Sequence, residues 1–587
     1  IPGIRLTNYG DLSLGSPALN QNQTLTIAGS MMKIGTRHNV RTGLDLVWNQ
    51  RNIQTDRNPR GTFDFTGFAT SAFDAHGRPI AGTGYDFADF LLGHPYASSR
   101  QYGSGRSYLR GKSINAFFQD DWRVHARFTI NYGVRYEYVQ PFYEKNDHMV
   151  NLDVAPGFTA VSPVLPGATG RYGGRSTRSL IGSDRNNISP RFGIAWKPTP
   201  SSKWVVRTGY GIFYNPSVYS YIYGQLIQQP PFAISQDLLT TLSNPLTIQQ
   251  GFPDQPDVAV FNTYAIDPGY RIGYVQQWNL DIQTELFRLY SISLGYNGSR
   301  GTRLDVLRAP NRAPQGSSPV ETEDNRAIAD AGNFVYQTSE AGSVMHAMQA
   351  RLNRRFSRGF RFQASYTLAK SIDSASGIGG GGLTVVQDEF NIRGERSLSG
   401  FDQRHRFEFS CNFELPFGER RRFFPNANLF LQQLISGWNL DANFQLLSGT
   451  PSSPRLMGNV SNNSGTGSNF SERPDTTGLA VSLPDSRQST SAYFNTLAFA
   501  VPPPGQFGNA GRNTIPGPGT NLLNMSLRKG FRLDDSNRRM EVRWMVSNVF
   551  NHPNWGGLGT VVNATNYGRV TSVRSMRRME FNLRVNF

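Results

Sequence analysis

The chain has 587 residues, of which 38% are hydrophobic, with a mean hydropathy of -0.43 and a formal net charge of +17. No run approaches the ~20 consecutive apolar residues of a spanning helix, which excludes an α-helical membrane protein but not a barrel, whose strands are apolar on one face only. One cysteine, Cys411, excludes an internal disulfide framework, and with no basic block denser than Arg420 to Arg422 the charge reads as arginine spread over polar faces and loops, not as a nucleic-acid surface.

In chain order, strands are predicted near 22–33, 37–50, 110–123, 127–140, 189–197, 203–214, 271–286, 289–300, 345–356, 360–370, 402–415, 434–447, 521–531, 538–550 and 576–587. Each alternates apolar and polar residues, the period that puts one set on each face of a strand. In the fourth, Phe128, Ile130, Tyr132, Val134, Tyr136 and Tyr138 fall on one side, and Thr129, Asn131, Gly133, Arg135 and Glu137 on the other. In the eleventh, Phe407, Phe409, Cys411, Phe413 and Leu415 alternate with Glu408, Ser410, Asn412 and Glu414. Most run to ten residues or more, whereas ordinary strands average ~5–6 and a strand crossing a bilayer needs ~9–11.

The connections alternate in length. Short ones include 124–126, 198–202, 287–288, 357–359 and 533–537; long ones cover roughly 51–109, 141–188, 215–270, 301–343, 371–401, 448–520 and 551–575, with 416–432 intermediate. Outer-membrane barrels have short periplasmic turns and long extracellular loops. The long segments are rich in Gly, Asn, Ser and Pro, as at 377–382, 461–469 and 502–505, which predicts solvated loops with little core. Residues 85–93 (YDFADFLLG) predict a short helix in the first of them. Nothing marks a linker or a solenoid repeat, so one barrel domain over 1–587 is expected.

The last strand follows a long loop and therefore runs inward; counting back, the first strand, 22–33, also runs inward and has an open edge. An open edge does not persist in lipid, so the chain, which begins at Ile1 with no signal peptide in view, is expected to continue upstream.

The motifs then become familiar. In order they are 117–124 (FFQDDWRV), 128–137 (FTINYGVRYE), 189–196 (SPRFGIAW), 206–214 (VRTGYGIFY), 276–280 (QQWNL), 295–301 (GYNGSRG), 352–357 (LNRRFS), 364–373 (ASYTLAKSID), 402–407 (DQRHRF), 414–418 (ELPFG), 505–513 (GQFGNAGRN) and 549–554 (VFNHPN). This series resembles the barrel of TonB-dependent transporters, above all the Oar-like group of Acidobacteria type, over nearly the whole chain. The resemblance implies a 22-stranded barrel, an N-terminal plug carrying a TonB box, and often a carboxypeptidase-regulatory-like domain. None of the three N-terminal parts is recognisable here, so the chain reads as the C-terminal barrel portion, about 15–16 of 22 strands. The resemblance also implies that the terminal strand, with Phe581, Leu583, Val585 and Phe587, carries the signal read by the barrel-assembly machinery; the plainer reading of these residues is a lipid-facing strand with a belt aromatic.

No catalytic or cofactor site is expected. His405 and Glu408 have an H-x-x-E spacing, but on a strand positions i and i+3 face opposite sides and cannot share a metal. Asp120 and Asp121 likewise face apart, and one of them belongs to the lumen. His552, before Pro553, is expected to shape a loop, and Cys411 follows the apolar parity toward lipid. No metalloprotease, Cys-x-x-Cys, P-loop or nucleophile-elbow motif occurs, and the run 377–382 opens no helix. Trp204, Trp278, Trp438 and Trp544 share the apolar parity, which favours membrane-interface anchoring over substrate stacking.

The expected protein is thus an all-β outer-membrane barrel, an uptake receptor for a large or scarce nutrient. Its expected partners are outer-membrane lipids and lipopolysaccharide, the TonB complex through a plug, and the assembly machinery. The alternative is a passive structural or adhesive barrel whose loops bind glycans or surfaces. A soluble, basic nucleic-acid binder is disfavoured by the long continuous apolar faces.

Overall fold

The computed structural model describes residues 1–9, 11–14, 18–54, 56, 58–75, 80, 83–200, 203–240, 242, 244–253, 259–312, 326–375, 385–419, 421–456, 472–503, 505–532, 539–562 and 564–586. Phe587, the glycine run 377–382, segment 461–469 and the turn 533–537 lie outside them.

The fifteen long strands are Leu19–Ile34 (β1), His38–Gln54 (β2), Arg106–His125 (β3), Phe128–Val139 (β4), Ile188–Trp196 (β5), Trp204–Tyr214 (β6), Tyr274–Leu286 (β7), Tyr290–Arg308 (β8), Val335–Ser357 (β9), Phe360–Asp373 (β10), His405–Glu414 (β11), Trp438–Leu447 (β12), Thr520–Arg532 (β13), Arg539–Ser547 (β14) and Arg578–Asn586 (β15). Each pairs antiparallel with the next in sequence, an up-and-down meander. Three short segments, Tyr143–Glu144, Tyr264–Ile266 and Ser397–Leu398, complete a sheet of 18 strands. Among the described residues β1 pairs only with β2, and β15 only with β14.

The register sorts the side chains into rows that run around the wall. One row passes through Trp204, Thr284, Ile292, Leu352, Ala364, Phe409, Phe444 and Leu523. One residue along, the row is Gln283, Ser293, Arg351, Ser365, Glu408 and Gln445. A one-residue slip would exchange the two faces across the whole wall, so the alternation itself fixes the register. Large side chains of the apolar face stand open: Leu25, Ile27, Met31, Phe118, Phe192, Leu294, Trp544 and Phe581 are all exposed. A continuous apolar band of this extent is untenable in water and is what lipid covers.

The wall has its buried core elsewhere. β8 has 19 residues and β9 has 23, well beyond the ~9–11 that cross a bilayer. Past register shifts at Gly301/Leu304 and Leu304/Val306, β8 ends in the fully buried Val306 and Leu307. These extensions carry a cap built from the long connections. Helix α2 (Val218–Leu226) buries Val218, Tyr219, Ile222, Tyr223 and Leu226 against Ile53 of β2, Leu109 of β3, Tyr264, Tyr270 and Leu307. A second cluster joins Leu456, Tyr493, Phe494, Phe499, Ile515 and Val562 from the last two long connections. A separate four-stranded sheet joins Gly3–Leu6, Asn58–Phe65, Ala97–Tyr102 and Ile234–Leu239, the first pair parallel and the others antiparallel.

Two sequence expectations change here. The long connections are not core-poor loops; they supply most of the buried apolar side chains, because each contributes a few large residues that meet others far along the chain. The strand expected over 434–447 begins only at Trp438, because Leu429–Ile435 forms helix α3 and Gly437, at φ 75°, turns the chain into the wall. The short helix expected at 85–93 is present as α1, Asp86–Leu92, closed by Gly93 in the left-handed conformation.

Candidate functional site

The cap sits over the polar face of the wall. The start of α2, with Pro216, Ser217, Tyr219 and Ser220, closes a cavity whose floor is Asn49, Arg51, Ser113, Asn115, Arg135 and Glu137 from β2, β3 and β4. The polar rows therefore line an interior beneath the cap, and the apolar rows look out. Arg135 and Glu137 pair at 2.6 Å across this floor, and Asn412 donates to Asp441 at 2.7 Å farther around.

α1 braces the cap through its carboxylates. Asp89 accepts from the backbone N–H groups of Gly67 and Thr70, at 2.8 and 2.9 Å, and from the Thr70 hydroxyl at 2.7 Å. Asp86 accepts from the Asn8 N–H at 2.6 Å, which ties down the segment following Gly3–Leu6. In the neighbouring sheet, burial pushes the Asp64 carboxyl up to about 6, with Arg5 pulling against it and Asp11 adding to it. Asp237 is pushed up to about 7, by burial first and then by Asp64. A carboxyl raised in the fold is held protonated where the unfolded segment has already released its proton. Its stabilisation is complete below about pH 4 and is lost as pH rises through about 6 to 7. Proteolysis within 58–65, 97–102 and 234–239 is therefore expected to be faster at pH 8 than at pH 5. Asp237→Asn is expected to flatten that difference; an identical profile in wild type and variant would refute the assignment.

A second brace is an ion network between the connections after β10 and β12. Glu395 receives both terminal nitrogens of Arg473 at 2.9 Å, and Arg512 donates to Asp373 at 2.8 Å and lies 3.3 Å from Glu395. All four side chains are buried. Gln387 extends the network by accepting from the Arg473 N–H and donating to the Gly508 carbonyl.

The predicted site residues fall as follows. Trp204 and Trp438 open β6 and β12 at the short-connection end of the wall. Trp278 lies toward the long-connection end of β7, and Trp544 stands in the outward row Phe360, Phe413, Leu440, Leu527, Trp544, Phe581. Phe581, Leu583 and Val585 are exposed on β15. Cys411 is in the outward row Phe362, Cys411, Ala442, Met525, Val546, Met579. Asp120 shares the outward row of Val40 and Tyr132, its carboxylate held by the Tyr132 hydroxyl at 2.9 Å and by His38 Nδ1 at 2.7 Å. Asp121 is the lumen-side member of that pair, beside Asn39 and Asn131. His405 meets the Tyr366 hydroxyl on the outer face, whereas Glu408 takes Arg406 on the inner one. His552 works through its backbone, closing a turn with the Asn548 side chain.

The outer face also holds a feature that residue spacing does not reveal. The indole of Trp278 lies across Gly298 and donates to Tyr296, whose hydroxyl meets His346 at 2.7 Å. A Cβ at 298 would collide with that ring. Gly298→Val is expected to displace the indole and to cost about 1–3 kcal/mol, in line with overpacking elsewhere. Unfolding midpoints in lipid, with tryptophan emission, would show it; an unchanged midpoint would mean the ring has room.

An antiparallel meander with a lipid-facing outer surface, a polar interior and long connections folded over one end defines an outer-membrane β-barrel wall. The chain matches residues 1–580 of its length to the family described as outer membrane beta barrel domain, and it belongs to that family. Among solved structures it is similar to the outer membrane transporter YddB from Escherichia coli, at 10% identity and TM-score 0.52, covering 96% of this chain and 54% of that one. It is also similar to the ferric-catecholate import receptor Fiu from E. coli K12, at 10% identity and TM-score 0.43, covering 98% and 55%. A third is the ferripyoverdine receptor of the Pseudomonas aeruginosa outer membrane, at 10% identity and TM-score 0.41, covering 96% and 48%. At such identity the likeness concerns the fold alone, and YddB carries it. The chain spans about half the length of these proteins. No curated protein sequence matches it. The protein is one of the outer membrane.

Proposed function

We propose that this chain is the barrel portion of a TonB-dependent uptake receptor of the Oar-like group, taking in a large or scarce nutrient. The observation that supports it best is the cap: long connections with their own buried cores stand over a polar interior. That arrangement suits capture outside followed by passage within. Large 22-stranded outer-membrane transporters hold a plugged lumen, and a plug would supply the contact to the TonB complex. The edges of β1 and β15 that carry no partner among the described residues call for pairing, because unpaired backbone groups are costly in lipid; the remaining strands of such a barrel would provide it. Phe581, Leu583 and Val585, with Phe587, would serve the assembly machinery, and Trp204, Trp278, Trp438 and Trp544 would anchor the wall at the interfaces, where the outer leaflet presents lipopolysaccharide. The chemistry of the reading is binding and passage, not catalysis.

The test compares spent medium from wild-type cells, cells lacking the gene and cells lacking the TonB complex. The same compounds are expected to remain in the medium of both mutants. If no compound differs while surface attachment is lost without the gene, the barrel is passive and adhesive.

A further inference from the structure

The connection 416–437 joins β11 to β12 at the end of the wall that otherwise has short turns, and α3 (Leu429–Ile435) forms its last third, just before β12. Phe430, Leu431 and Leu434 lie on one arc of this helix and are all exposed, Phe430 at 77% and Leu434 at 56%. On the opposite side Gln432 stitches the helix to its own connection: its amide donates to the carbonyls of Phe424 and Pro425 and accepts from the Glu419 N–H. Phe423 and Phe424 add two more exposed rings beside the helix.

Where the helix sits relative to the wall follows from what it touches. The Trp438 indole donates to the Leu434 carbonyl at 2.9 Å. Lys529 donates to the Gln433 carbonyl, and its ammonium lies 5.7 Å from the Trp438 ring centre. Trp438 and Lys529 are cross-strand partners, and the row continues through Val542 to Leu583. That row is apolar and looks outward. α3 is therefore fastened to the lipid side of the wall, not to the lumen. Lys529, on an apolar row and buried, sends its ammonium to the C-terminal end of the helix, where a cation meets the last carbonyls favourably.

We propose that α3 and the preceding Phe423 and Phe424 form an interfacial anchor that lies in the headgroup and acyl boundary of the periplasmic leaflet. The occupant is phospholipid, for two reasons. The exposed apolar arc is continuous with the lipid-facing rows through Trp438, so the bilayer that covers the wall reaches it. The segment also carries three arginines, Arg420 to Arg422, against one acid, Glu419, and Arg422 lies over the Phe423 ring. An apolar face flanked by aromatic and basic residues is the pattern of helices that lie in a membrane surface, where apolar burial and attraction to anionic headgroups add. The inference rests on the outer-membrane placement of the wall and is independent of whether the barrel transports anything.

The experiment places an environment-sensitive nitrobenzoxadiazole label at single cysteines in the full chain, with Cys411→Ser removing the native thiol. Phe430→Cys, Leu434→Cys and the control Asn426→Cys are reconstituted in phosphatidylethanolamine/phosphatidylglycerol bilayers, with boiling-dependent gel mobility confirming the fold. If C411S does not fold, the same labels are read in the native background after subtracting the signal of Cys411 alone. Labels at 430 and 434 are expected to be quenched several-fold more by phospholipid with a shallow doxyl group than by aqueous iodide, and the label at 426 the reverse. Equal iodide quenching at all three positions would put the helix in water. Protection at 430 and 434 from both quenchers would put a protein surface there. Either result overturns the proposal.

Discussion

Replacing Glu395 by glutamine is expected to loosen the cap while leaving the wall intact. The substitution keeps the shape of the side chain but removes the charge that holds Arg473 at 2.9 Å through two bonds and Arg512 at 3.3 Å. Arg512 then keeps the buried Asp373 carboxylate, while Arg473 loses the charge that both its terminal nitrogens meet. Breaking a buried pair by removing one partner costs about 3–5 kcal/mol, since the remaining charge is left desolvated. The loss falls on the segments the network joins: the end of β10, residues 387–395, and residues 473 and 508–512. Hydrogen exchange on outer-membrane vesicles should show protection around 385–396 and 505–513 falling by at least a hundredfold, with β11 and β10 before its last residues unchanged. Equal exchange in variant and wild type would mean that the apolar cluster around Leu456 and Phe494 fixes these connections without the charges.

The second large effect separates the two faces of a single strand. Phe409 and Ser410 are neighbours in β11, yet Phe409 lies in the row of Ala364, Phe444 and Leu523, and Ser410 in that of Gln363, Asn443 and Asn524. Phe409→Arg is expected to destabilise the barrel in phospholipid by about 2–4 kcal/mol, the cost of a cation on the lipid face near the bilayer midplane. Ser410→Arg, one residue away, is expected to be close to neutral, because the lumen offers Glu408, Asp441 and water. Urea unfolding in bilayers measures both. Similar losses at the two positions would mean that the faces are not distinct environments.

The wall was legible in the sequence because a strand reads out its surroundings every second residue. The apolar run Phe407, Phe409, Cys411, Phe413 marks its face with no help from distant residues. The cap was not legible, because its order comes from pairs with no local period. Glu395 meets Arg473 78 positions away, and Asn151 meets Ile266 across 115. Glycine, serine and proline between such residues look like solvated loop whether or not a few large side chains find partners. α1 was visible as a helix, but its purpose depends on Gly67 and Thr70, in a turn some twenty residues earlier. Only the last two residues of α3 fall in the strand pattern and the others in the connection before it: Leu434, Trp438 and Leu440 extend an apolar parity backward, interrupted at Ser436, and a single glycine such as Gly437 is a weak stop in a strand pattern.

Spin labels placed singly at 407 to 413 of β11, in reconstituted bilayers, measure most directly what covers the apolar rows. Collision with oxygen, which concentrates in lipid, should exceed collision with a water-soluble nickel chelate at 407, 409, 411 and 413, and the order should invert at 408, 410 and 412. Odd-numbered labels shielded from both reagents would mean that those side chains pack on protein, and the outer-membrane reading of this wall would be wrong.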